Sequence, residues 1–80
     1  MAKKYIPVNP YNDDFRRLMQ GTAKAIRTGD TKLLDAVKKE LAEAEPPMTL
    51  FYNKETDVIR VVTKDGPPID FPVGQFEVKA

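Results

Sequence analysis

Catalysis needs reactive side chains, and the residue types of this chain exclude most of them before any fold is considered. It contains no Cys, His, Ser or Trp. Without Cys there is no disulfide, thiolate nucleophile or sulfur-ligated zinc. Without His the commonest general base and neutral metal ligand are missing. The nucleophiles that remain are Thr, Lys and Tyr, each of which needs a buried partner to activate it. Carboxylates stand in three close pairs, Asp13/Asp14, Glu43/Glu45 and Glu55/Asp57. Paired acids can serve acid–base chemistry or hold hard cations. None of these pairs carries the alternating acids around a central Gly that a calcium loop requires. A helix dipole explains the first pair, a polar helix end the second and a loop the third. Gly21, Gly29, Gly66 and Gly74 are scattered, so no phosphate-cradling loop forms. The expectation is a protein with no catalytic residue, no metal and no cofactor, and hence not an enzyme.

What is left is surface chemistry. The net charge of +1 conceals a polarity: residues 1–32 carry seven bases against three acids, and residues 33–80 carry six bases against nine acids. Placed at about 100° per residue, Arg16, Arg17, Gln20, Lys24 and Arg27 share one side of a helix. This basic stripe is open to three readings: a solvated face, a contact for an acidic protein partner, or a nucleic-acid surface with Lys3 and Lys4 as an arm beside it. Near-zero overall charge and the lack of interleaved basic and aromatic residues count against nucleic acid. A second candidate is Phe51 with Arg60 and Val62, which the expected strand register turns away from the helices. An apolar sheet face left open marks a partner or self-association surface, unless the C-terminal segment folds over it.

These residues must be positioned by local structure. Residues 1–8 contain Pro7 and no clear period, and read as an extended arm. Asn9-Pro10 reads as a helix start, with Asn12 a rival cap and Asp13 and Asp14 in the first turn. Tyr11, Phe15, Leu18, Met19, Thr22, Ala25 and Ile26 then share the apolar side, and Gly21 either weakens the helix or admits a close neighbour. Gly29 stops the helix, and Asp30 or Thr31 caps a second one with Leu33, Leu34, Val37, Leu41 and Ala44 on its apolar face. Residues 25–31 resemble the helix–Gly-Asp–helix joint of ankyrin-type hairpins. That resemblance implies a helical hairpin only, because the repeat period is absent.

Pro46-Pro47 closes the helical zone, 9–45. Beyond it, residues 48–79 have β character. Runs at 48–53 and 58–63 flank a four-residue loop, placing Tyr52 opposite Ile59 and Leu50 opposite Val61. Residues 69–73, interrupted by Pro72, form at best an edge strand, and 75–79 alternate with Phe76 and Val78 inward. Tyr5, Tyr11, Tyr52 and Phe76 are expected in the core, with Phe51 and Phe71 as exceptions. The fold expected is one α+β domain over residues 1–80, an N-terminal αα-hairpin packed on a three-stranded antiparallel β-meander, ααβββ.

Eighty residues bury only ~60% of the unfolded surface, so self-association is the expected support, as a homodimer. The basic start at Lys3 and Lys4 lacks the apolar stretch of a signal peptide, and no run suits a membrane span. A cytoplasmic location without membrane contact is expected. The functional expectation is a small accessory or regulatory module of bacterial or phage type that binds a protein. Nucleic-acid binding by the basic stripe and a structural assembly subunit are the alternatives.

Overall fold

A computed structural model describes residues 4–64 and 66–77 of the chain. Two helices precede a three-stranded antiparallel sheet, an α+β arrangement in the order ααβββ. The elements are α1 (Asp13–Thr28), α2 (Thr31–Glu43), β1 (Met48–Asn53), β2 (Val58–Thr63) and β3 (Ile69–Pro72), followed by a 3-10 turn at Val73–Gln75. Among the described residues no helix is long and apolar enough to cross a membrane.

Capping decides where the helices begin. Asn12, not Asn9, caps α1: its Oδ1 accepts from the Phe15 N–H at 3.0 Å. Asn9 accepts instead from the Tyr11 N–H at 2.9 Å, which makes a side-chain-closed turn ahead of the helix. Tyr11 therefore lies outside the helix and is 88% exposed, not on the apolar face as its spacing suggested. Gly29 ends α1 at φ 71°, a left-handed conformation that costs glycine nothing. Asp30 follows as the α2 cap, accepting from the Leu33 N–H at 3.0 Å.

Gly21 brings the two helices together. A Cβ there would stand 3.2 Å from Cγ2 of Val37, so the bare backbone of α1 lets α2 approach at this level. Thr22 beside it is fully buried, and its hydroxyl donates to the Leu18 carbonyl at 2.9 Å, which leaves no polar atom unpaired.

The hairpin register is the expected one, Leu50 opposite Val61 and Tyr52 opposite Ile59. The inner face of the sheet supplies Met48, Leu50, Ile59, Val61 and Phe71 to a core with Phe15, Leu18, Met19 and Ala23 of α1 and Val37 and Leu41 of α2. Three rings meet at its centre, with Phe15 centroids 5.6 Å from Phe71 and 6.4 Å from Phe76, in the tilted and edge-to-face geometries that ring quadrupoles favour.

Several expectations fail at the two ends of the chain. The arm is not merely extended. Glu45 pairs with it in a parallel bridge, donating to the Lys4 carbonyl at 2.8 Å and accepting from the Ile6 N–H at 3.0 Å, which seats Ile6 in the core. Phe71 is core, because pairing with Ile59 puts it on the inner face. Conversely Tyr5, Tyr11 and Tyr52 are exposed rather than buried. The alternating run at 75–79 opens as a 3-10 turn with Phe76 buried as expected. Val78 and Lys79 lie outside the described residues, as does Lys3.

Candidate protein interface

The basic stripe is largely paired within the chain. Arg16 lies 3.6 Å from Asp13, one turn earlier, and Arg17 lies 3.6 Å from Glu40 on α2. Arg27 at the end of α1 has a tertiary role. Its Nη1 and Nη2 donate to the two oxygens of Asp57 at 2.9 and 2.6 Å, and its Nε donates to Glu77. Asp57 sits in the hairpin loop at φ 56°, a left-handed conformation that Asp tolerates better than most side chains. Tyr52 completes the cluster by donating its hydroxyl to Asp57 Oδ1 at 2.8 Å. One guanidinium thus ties the helix end to the hairpin loop and to the segment after β3.

The electrostatics follow from these bonds. Hydrogen bonds from Arg27, and second from Tyr52, hold the Asp57 carboxyl below the usual carboxylate range. The bond to Asp57 raises the Tyr52 phenol above its ordinary value, and Asp57 then Glu77 raise Arg27. Lys24 is the stripe cation that makes no ion pair among the described residues. With Gln20, Gly21, Arg27, Thr28 and Glu77 it lines a groove of about 660 Å³. Lys4 is not a free arm beside the stripe but is bonded to Asp14 at 2.9 Å. Four of the six paired acids therefore have structural partners: Asp13 and Asp14 hold Arg16 and Lys4, Asp57 holds Arg27, and Glu45 holds the arm through its backbone.

The outer face of the sheet does bring Phe51, Arg60 and Val62 together. Phe51 pairs directly with Arg60 across the hairpin, and Val62 stands opposite Thr49 one step along. Phe51 is 55% exposed. Among the described residues the segment after β3 leaves this face open: Val73 and Phe76 enter the core on the inner side. Together with Val58 and Pro68, these side chains border a shallow groove of about 500 Å³.

Sequence reasoning missed Asp70, which faces Arg60 on β3 and accepts from its Nε at 2.9 Å and from its Nη2 at 3.3 Å. That bond lowers the Asp70 carboxyl and raises the Arg60 guanidinium. The guanidinium–carboxylate pair thus stands on a mixed surface, with Phe51, Val58, Val62 and Pro68 beside the polar Asn53 and Thr56. The partners of Arg27 were missed too, because Asp57 and Glu77 are 30 and 50 residues away and no local pattern links them. No protein-family model, curated protein or solved structure matches the chain.

Proposed function

We propose that this chain is a small non-enzymatic protein-binding module, of accessory or regulatory type, that works as a homodimer and engages its partner across the outer face of the sheet. The observation that carries the reading is the open Phe51–Val62 surface flanking the Arg60–Asp70 pair, on a domain whose core lies wholly on the other side of the sheet. Apolar area of this kind, rimmed by polar groups, is characteristic of contact surfaces. The basic stripe is the lesser candidate. Arg16, Arg17 and Arg27 already face carboxylates, so their positive potential is partly cancelled before any phosphate arrives.

The test is capture from the native host's lysate, with and without nuclease and at two salt concentrations. Wild type should retain a discrete protein that survives nuclease. Val62→Glu should release it, while the triple variant Arg16→Glu, Arg17→Glu, Lys24→Glu should keep it. Capture that disappears with nuclease, falls steeply with salt and depends on the stripe would replace this reading with nucleic-acid binding.

A further inference from the structure

The two edges of the sheet are not equivalent, and backbone parity shows why. Val73 N–H donates to the Asp57 carbonyl at 3.1 Å, in register with the Val58–Pro72 and Ile59–Phe71 pairs. Antiparallel ladders alternate hydrogen-bonded and non-bonded pairs. Asp57, Ile59 and Val61 therefore direct their backbone groups to β3, and Val58, Arg60 and Val62 direct theirs to β1. It follows that Thr49, Phe51 and Asn53 bond to β2, whereas Leu50 and Tyr52 point their N–H and C=O groups out of the sheet. No turn, loop or side-chain hydrogen bond among the described residues reaches those outward groups.

The β3 edge has the features that block strand addition. Pro72 occupies an outward position and offers no N–H, Asp70 is charged, and Pro67 and Pro68 precede the strand. β1, MTLFYN, contains no charged residue and no proline. That neutrality suits a second copy as the occupant: a strand lying against its own copy brings like residues together, and a charged β1 would repel itself.

We propose that β1 pairs antiparallel with β1 of a second copy about a two-fold axis at Phe51, joining two three-stranded sheets into one of six strands. This rests on the homodimer part of the proposed function and deepens it: Phe51 of each copy goes to the dimer seam, and Val62 with the Arg60–Asp70 pair stays on the joined outer face for the partner. Leu50 faces Tyr52 of the other copy, so four backbone hydrogen bonds form from the outward groups alone. A register centred on Leu50 would need Met48, which directly follows Pro46-Pro47 and stands three residues from the arm-bonded Glu45. The two Phe51 rings meet as a non-hydrogen-bonded pair at a Cα separation of about 4.5 Å. They cover each other's exposed face at the centre of the joined sheet.

The experiment is sedimentation of the full chain with Phe51→Lys and Phe51→Glu, alone and mixed, plus oxidative cross-linking of Phe51→Cys and Thr49→Cys. Wild type should sediment at twice the 9.0 kDa chain mass. Each charge variant should be monomeric while keeping its circular dichroism, and an equimolar mixture should recover the dimer. Because the chain has no cysteine of its own, Cys at 51 should link to itself, its ~4.5 Å Cα separation lying at the short end of disulfide range. Cys at 49 should not, since its copy lies roughly 14 Å away along the strands. A dimer that survives both charge variants, or that links at 49 and not at 51, overturns the β1 pairing and leaves the homodimer standing. A monomeric wild type overturns both, and the outer-face reading is then judged by the capture experiment alone.

Discussion

Replacing Gly21 with Ala sets two effects of similar size against each other, and the structure decides between them. In the middle of an exposed helix the change would stabilise by up to about 1 kcal/mol, the difference in helix propensity. Here the new methyl would meet Val37 Cγ2 at 3.2 Å, a few tenths of an ångström inside ordinary carbon–carbon contact. Val37 is buried and β-branched, with essentially one χ1 rotamer open to it on a helix, so it cannot turn aside. The helices must part instead, and overpacking of this kind costs about 1–3 kcal/mol. We expect Gly21→Ala to destabilise by about 1 kcal/mol net, which for a chain of this size lowers the melting temperature by about 6 °C. In a Val37→Ala background the clash is gone, and the same substitution should stabilise by about 0.5–1 kcal/mol. The double-mutant cycle, measured by urea unfolding of the four proteins with shared m-values, should give a coupling of about 1.5–2 kcal/mol. Stabilisation of equal size in both backgrounds would refute the argument, because it would show that α2 does not press on α1 at Gly21.

Further outcomes can be measured on the same footing. Asn12→Ala should cost about 1 kcal/mol of unfolding free energy and Asn9→Ala a few tenths, since only Asn12 satisfies a first-turn N–H of α1. The Asp57 carboxyl is depressed in the folded state, so its contribution is fully present above the unfolded carboxylate value near ~3.9 and is lost as pH falls toward the lower folded value. The stability gap between wild type and Arg27→Gln, followed by denaturant unfolding across acid pH, should therefore be constant above about pH 5 and close below about pH 4. At the alkaline end Tyr52 is raised, so its bond to Asp57 contributes below the ordinary phenol value and is lost as pH climbs through the higher folded one. Ultraviolet titration should show Tyr52 titrating late and moving back toward the ordinary phenol value in Asp57→Asn.

Local rules made much of the fold legible. Asp13 and Asp14 at a helix start, Gly29 at a helix stop and Pro46-Pro47 after α2 are signals carried by single residues acting on their own backbone. Each holds in the structure. The hairpin register was equally local: a four-residue loop between alternating runs fixes which side chains oppose one another, and so Phe51, Arg60 and Val62 could be placed on a common face. Errors arose where two local signals competed. Asn9 and Asn12 are both good caps, and the choice went to the one whose side chain reaches Phe15 N–H once Asn9 has closed a turn on Tyr11.

What only the tertiary structure decided is the fate of side chains whose partners are far along the chain. Arg27 reads as one more solvated base until Asp57 and Glu77 arrive from the sheet side to hold it. Phe71 reads as an exposed edge residue beside Pro72 until pairing with Ile59 turns it inward to Phe15. Ile6 reads as part of a tail until Glu45 pairs with the backbone on either side of Tyr5. The reason is the same in all three cases. Capping, turn chemistry and alternation act over a few residues and are written in sequence, whereas burial and charge pairing depend on which elements the chain brings together. The composition alone tells which side chains are missing: Cys, His, Ser and Trp. Which surface remains open was settled only when the helices and the segment after β3 packed on the inner face of the sheet, leaving the outer one uncovered among the described residues.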